Sequence, residues 1–248
     1  MKKILFLILL LNSFLHAATV TVALAANVSY AINELKNAFH QSYPDRQIRI
    51  IIGGSGKLTA QIKNGAPYDI FISANMRYPQ ALYKEHLAIT KPKIYAKGSL
   101  AILSQRVRNF SQGIFIVKRA DVKRIATANP KTAPYGKATI EALKNAKLYS
   151  KIKNKLIYGE SIAQTVTYTM TAADIGFIAK SALFSSKMRQ FQKDKNWIEV
   201  DPKLYKPIAQ GIVILKHAKT NRAAKEFYDF ILSPKAKAIF KKYGYTVS

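Results

Sequence analysis

An α/β fold with largely parallel sheets is what this 248-residue sequence predicts, and three observations predict it. Short apolar strand runs alternate with helical stretches along the chain after its first eighteen residues. Four strand-to-helix junctions carry small, polar or turn-forming residues: Ala26-Asn27, Gly54-Ser55, Pro134-Tyr135-Gly136 and Glu160-Ser161-Ile162. In open α/β sheets such junctions line the crevice at the carboxyl ends of the strands. No internal repeat or low-complexity linker interrupts the pattern, and the length allows one large domain or two modest ones.

The chain opens differently. Met1-Lys2-Lys3 is a basic start, residues 4–11 are apolar, and Leu15-His16-Ala17 is a small-residue exit. This predicts a secretory signal peptide over residues 1–17, cut after Ala17 or Ala18, because the apolar run is too short to span a bilayer. No comparable run follows, so a soluble, periplasmic protein is expected.

Residues 19–24 (TVTVAL) form the first predicted strand. Val28, Ala31, Ile32, Leu35, Ala38 and Phe39 then recur at helical spacing, with Asn27 placed as the N-cap and Ser29 competing for that position. Residues 75–87 read as a weakly periodic helix. Strands are predicted at 100–103, 114–117 and 125–128, followed by an irregular loop at 129–136 and a helix from Lys137. Residues 156–158 read as a strand ending in Gly159-Glu160-Ser161, and Ile162, Val166 and Met170 mark the next helix. Further strands fall at 174–178, 197–200 and 208–215, and two helices, 221–232 and 235–243, close the chain around the Ser233-Pro234 break.

The most informative stretch is residues 47–73, QIRIIIGGSGKLTAQIKNGAPYDIFIS. A buried strand stops at Gly53-Gly54-Ser55-Gly56, a short amphipathic helix follows, and a second strand ends at Ser73-Ala74. Glycines let the backbone approach a ligand closely, Ser55 can cap the helix, and the freed N–H groups attract anions. Ser55 therefore reads either as a helix cap or as an anion ligand. Asn27 has the same two readings.

Composition narrows the chemistry. There is no cysteine, which removes disulfides, zinc-thiolate sites, thiol nucleophiles and a lipid-anchoring cysteine together. Removing Lys2 and Lys3 from the net charge of +27 leaves +25, a balance that attracts anions generally. Export and the dispersal of lysines over nearly every segment argue against nucleic acid as the partner. His16, His40, His86 and His217 lack metal-ligand spacing. The GGSGK run matches neither GxSxG nor GxxxxGK[ST], since Lys57 stands two past Ser55 and Leu58 follows it. Glu160 and Asp174 have no spacing that pairs them as acid and base, and Asp69, ahead of a strand, reads as structural. No enzymatic activity, no cofactor and no metal site are expected.

AANVSYAINEL, GGSGKLTAQIKNGAPYDIFISAN, the Pro134-Tyr135-Gly136 turn before IEAL, IGFIAKSA and the closing AAKEFYDFILSPKAKAIFKKYGYTV together resemble the periplasmic molybdate-binding proteins of bacterial ABC importers. The resemblance runs in order over the whole chain after the signal peptide. It implies a two-lobed periplasmic-binding-protein fold, each lobe a mostly parallel sheet flanked by helices, with an oxyanion held in the cleft by neutral donors. Lobe one is expected at 19–95 plus 216–248 and lobe two at 96–215, with the return crossing near 206–215. Carried over by position, the ligand residues are Asn27, Ser55, Tyr135 and Ile162, the last two through main-chain N–H groups. The family's first serine is Asn27 here, and its tyrosine ligand falls at Ala179. The Asn27 amide is the expected substitute for that hydroxyl, with the Tyr135 hydroxyl, Lys57, Ser29 or water as alternatives. The implied function is capture of molybdate or tungstate for a membrane permease by a monomeric protein. The alternative is the same fold binding another tetrahedral oxyanion, sulfate-, chromate- or phosphate-like.

Overall fold

The computed structural model describes residues 19–247; the expected signal peptide lies outside the described residues. Ten strands fall into two five-stranded sheets among those residues. The first has the order β2 (Gln47–Gly53), β1 (Thr19–Ala25), β3 (Ile70–Ile72), β10 (Ile208–Ile214), β4 (Lys93–Gly98). The second has the order β7 (Leu156–Gly159), β6 (Ile125–Ala128), β8 (Ile175–Ala179), β5 (Leu100–Leu103), β9 (Trp197–Glu199). Three neighbouring strands in each are parallel, and one antiparallel strand, β10 or β5, follows them.

The helices are α1 (Ile32–His40), α2 (Ser55–Lys63), α3 (Arg77–Lys84), α4 (Pro134–Asn145), α5 (Tyr149–Ile152), α6 (Ile162–Thr171), α7 (Arg222–Ile231) and α8 (Pro234–Lys242). They cover both faces of the sheets. The two-residue period of β1 sends Val20, Val22 and Leu24 into one core, against α1, α7 and α8, and Ala23 into another, against Leu58 and Ile62 of α2. Phe39 anchors the first core, meeting Phe227 edge-on at 5.0 Å between ring centroids, a favourable quadrupolar arrangement.

The chain crosses between the sheets immediately after Gly98 and again between Glu199 and Ile208. The sequence pattern puts residues 208–215 in the second lobe, with the return crossing near 206–215, and ends the first stretch of lobe one at residue 95. Instead β10 pairs with β3 and β4 in the first sheet, because Ile212 and Ile214 are buried against Ile70 and Ile72 there. Three local expectations also change. Residues 114–117 form part of a 3-10 helix, not a strand; β4 and α5 are additional; and Asn27 sits inside a 3-10 turn, Ala26–Val28, well ahead of α1.

Arg46, leading into β2, donates to Glu226 of α7 at 2.8 Å, and Arg222 donates to the same carboxylate at 3.0 Å. The Arg46 hydrogen bond holds the Glu226 carboxyl below the usual glutamate range. A depressed folded-state pKa contributes stability above the unfolded value that is lost as pH falls through the folded one. Glu226→Gln is therefore expected to lower the melting temperature by about 2–4 °C at neutral pH. That difference should close below roughly pH 4, measured by thermal denaturation across pH. An undiminished difference at pH 3 would contradict the ion-pair account.

Candidate functional site

Strand carboxyl ends from both lobes meet at one small cavity. Ala25, Ala26 and Asn27 reach it from β1, Gly53, Gly54 and Ser55 from the β2–α2 junction, and Ala74 from the end of β3. The other lobe supplies Ala133, Pro134 and Tyr135 from the start of α4 and Ile162 from the start of α6. Asn27, Ser55, Tyr135 and Ile162, far apart in sequence, are thus brought together. The cavity volume is about 10 Å³, room for one water-sized group.

The first-turn N–H groups of a helix have no intrahelical acceptor and carry its positive dipole end. Capping side chains usually satisfy some of them. Of the three helices that reach the cavity, α2 begins after Gly54 and α4 after Ala133, neither of which has a capping side chain, and α6 alone is capped, by Ser161 bonded to the N–H of Gln164. Pro134 has no N–H to offer, which makes Tyr135 the first donor of α4. Three helix N-termini therefore face one space with open donors at Ser55, Tyr135 and Ile162. No charged side chain lines the cavity. Such a set of neutral donors suits a compact anion.

Ser55 is the first residue of α2 rather than its cap, because Gly54 occupies the cap position. Its buried Oγ accepts the N–H of Ala74 at 3.0 Å, which leaves the hydroxyl proton available to the cavity. Asn27 is fully buried, and both protons of its amide are engaged, with Gln210 Oε1 at 2.8 Å and the Tyr245 hydroxyl at 2.9 Å. Its Oδ1 meets no donor. In this orientation the atom Asn27 leaves uncommitted is an acceptor, not the donor that the sequence predicts.

The remaining candidates lie outside. Ala179 ends β8, buried, and does not line the cavity. Ser29 donates to Ala26 O at 2.7 Å. Lys57 is exposed and bridges to Glu160 of the other lobe at 3.1 Å, outside the cavity lining. Asp174 accepts the N–H groups of Lys123 and Arg124 at 2.8 Å each, ahead of β8, whereas Glu160 follows β7. The parallel strands hold those two carboxylates at opposite ends of one sheet. Asp69 accepts the Thr21 N–H at 2.7 Å and also faces His217, a structural role.

The two lobes touch around the site. The Gly56 N–H donates to Thr132 O at 2.8 Å, and Ser181 Oγ donates to Asn27 O at 2.9 Å. Beneath the cavity lies a polar group that sequence reasoning missed: Gln210, Tyr95, Tyr245 and Ser181 around Asn27 and Tyr135. Its one sequence trace is the glutamine in the otherwise apolar strand IAQGIVI. Burial pushes the hydroxyls of Tyr95 and Tyr135 well above the usual tyrosine range, and that of Tyr245 upward too. A raised folded-state pKa means stability that is present below pH ~10 and lost as pH rises further. In an ultraviolet titration these three phenols should stay protonated through pH ~10.5 while exposed tyrosines ionise. Their phenolate should appear only with alkaline unfolding; ionisation of all tyrosines in one step at pH ~10 would contradict their burial.

Comparison with known proteins agrees with this architecture. The family described as bacterial extracellular solute-binding protein matches residues 20–246. The molybdate-binding protein ModA of Azotobacter vinelandii is 34% identical, over 93% of this chain and 90% of that protein. The putative ABC transporter substrate-binding lipoprotein YvgL of Bacillus subtilis is 29% identical, over 92% and 86% respectively. The solved structure of the Azotobacter vinelandii periplasmic molybdate-binding protein superposes with a TM-score of 0.85 at 29% identity, covering 92% of this chain and 99% of that one.

Proposed function

The chain belongs to the bacterial extracellular solute-binding proteins, binding proteins of ABC transport and not enzymes, and from that premise we propose that it captures molybdate, or tungstate, in the periplasm. It acts as a monomer there, freed of its signal peptide, and delivers the anion to a membrane permease. One observation carries the reading: three helix N-termini from two lobes converge on a small cavity with no charged lining. A dianion in that place gains from fixed N–H dipoles without a lysine or arginine. A compact cavity admits a tetrahedral oxyanion and rejects organic phosphates by size.

The working cycle follows from where the donors sit. Asn27 and Ser55 belong to the first lobe, Tyr135 and Ile162 to the second, so an open form offers half of the shell. Hinge closure, known for periplasmic binding proteins, brings in the rest. Gly56 serves that step. A Cβ on Gly56 would lie 2.8 Å from Thr132 O and 2.9 Å from Thr132 Cα, across the lobe boundary, and 2.7 Å from the Tyr78 hydroxyl, the movable end of a side chain in its own lobe. Gly56→Val should leave the open protein folded yet weaken ligand binding at least tenfold, read by calorimetry. Wild-type affinity in that variant would remove closure from the account.

One observation favours a second reading. The unpartnered Asn27 Oδ1 would welcome a proton, as carried by hydrogen phosphate, and would repel a fully ionised oxyanion. A thermal-shift panel of molybdate, tungstate, sulfate, phosphate and chromate separates the two, because a ligand that binds only the folded state raises its melting temperature. Molybdate and tungstate are expected to shift it most. A shift with phosphate or sulfate and none with molybdate would overturn the proposal. In the same assay, Ser55→Ala should lose about tenfold or more in molybdate affinity, the worth of one hydrogen bond to a charged group.

A further inference from the structure

The conflict at Asn27 has a structural resolution two residues deep. Gln210 is fully buried on β10, the strand next to the lobe crossing. Its Oε1 accepts from Asn27 Nδ2 at 2.8 Å and from the Tyr95 hydroxyl at 2.6 Å, while its Nε2 donates to the Tyr135 hydroxyl at 3.0 Å. The contact is made possible by Gly98 on β4: a Cβ there would lie 2.5 Å from Gln210 Nε2, and closer still to the Tyr135 hydroxyl. Gln210 therefore joins a residue of the first lobe's cavity wall to one of the second's. In this arrangement Asn27 Oδ1 is the unmatched atom.

The two ends of a carboxamide are nearly isosteric but opposite in hydrogen-bonding sense. If Asn27 and Gln210 turn over together, every bond in the group but one can be remade. Gln210 Nε2 then donates to Asn27 Oδ1 and to the Tyr95 hydroxyl, and Tyr95 keeps an acceptor in Ser73 O, at 3.3 Å. Gln210 Oε1 accepts from the Tyr135 hydroxyl in place of receiving nothing from it. The Tyr245 hydroxyl turns its single proton from Asn27 O, at 2.8 Å, to Asn27 Oδ1, which now stands where Nδ2 met it at 2.9 Å, and Asn27 O keeps the Ser181 hydroxyl at 2.9 Å. Turning Asn27 alone would set its Oδ1 against Gln210 Oε1, two acceptors at hydrogen-bond distance, so the amides are coupled. After the turn no buried acceptor is left over, and Asn27 presents an NH2 where an unpartnered oxygen stood.

We infer that Gln210 is a specificity-determining positioning residue: by turning with Asn27 it sets whether the site offers a donor or an acceptor to the oxyanion. A fully ionised oxyanion selects the donor arrangement, and an oxyanion carrying a proton selects the acceptor arrangement. This rests on the proposed oxyanion-binding role of the cavity and deepens it, since it makes the protonation state of the ligand the quantity that is read. The residue acts through Asn27 and does not touch the ligand.

The experiment has two parts. In the wild-type protein, nuclear Overhauser contacts of the Asn27 and Gln210 side-chain NH2 protons are recorded without ligand, with molybdate and with phosphate. With molybdate, the Asn27 NH2 contact to the Tyr245 ring is expected to vanish and the Gln210 NH2 contact to move from the Tyr135 ring to that of Tyr95. Phosphate should leave both as they are in the free protein. In Gln210→Glu, assayed at a pH where the new carboxylate is ionised, residue 210 offers acceptors only, and Asn27 is held with its NH2 toward residue 210 and its Oδ1 unpartnered. The ratio of molybdate to phosphate affinity should then fall about tenfold or more, whereas a general packing defect would weaken both alike. Contacts unchanged by bound molybdate, or a wild-type ratio in Gln210→Glu, overturn the inference and leave oxyanion capture standing. A wild-type melting temperature indifferent to molybdate overturns the functional proposal itself, and the amide inference with it.

Discussion

Helix N-termini left open are the constraint on which this structure turns. An unpaired buried N–H costs free energy, and most helices spend a serine, threonine or aspartate to satisfy it. Here α2 and α4 begin after glycine and alanine, and α4 adds a proline with no N–H at all. The sheets make that tolerable by holding the strand ends so that the open donors share one cavity. Gly54 and Gly56 are part of the same arrangement, since the opposite lobe's backbone comes to 2.8 Å from where each Cβ would stand. A fold that left these donors apart would have several small defects; bringing them together makes a site.

The high charge works at a different range. Counted after Lys2 and Lys3 are removed from the +27 of the whole chain, +25 remains, yet none of that charge lines the cavity. Lys57, the lysine nearest the glycine run, is exposed and paired with Glu160. Long-range attraction raises the local concentration of anions of every kind and is screened by salt. Choice among them belongs to the neutral, short-range shell. Separation of the two tasks explains how so basic a protein can keep a donor set free of competing cations.

What could be read from the sequence was local. Glycine, proline and small polar residues at strand ends mark Ser55, Tyr135 and Ile162, because each signal acts within a few residues. The α/β class follows from periodicity alone. The 3-10 stretch Gly113–Lys118 was not legible, because GIFIVK has the composition of a strand and only its packing makes it a tight helix, with Ile114, Ile116 and Val117 buried. The sheet membership of β10 depends on pairing with strands more than a hundred residues earlier. Asn27 shows the limit most clearly. Its elbow was visible, but its amide is claimed by Gln210 and Tyr245, 183 and 218 residues away. No local pattern reports which end of an amide faces a cavity.

That long-range claim also bears on the tyrosine hydroxyl that the family resemblance implies and Ala179 lacks. A site can compensate for a lost donor by inserting another, or by reorienting a group already present. The buried phenols of Tyr95, Tyr135 and Tyr245 do not insert themselves. Tyr245 donates to Asn27 O and Tyr95 to Gln210, whereas Tyr135 accepts from Gln210. Together they form a buried polar floor whose hydroxyls can each donate or accept. A phenol can donate or accept without moving its oxygen, so the floor can follow an amide turn at little cost in packing. A tyrosine in the shell fixes a donor by its position. On the proposed amide turn, an asparagine on such a floor takes either sense, which makes the discriminating element a property of the network rather than of any one residue.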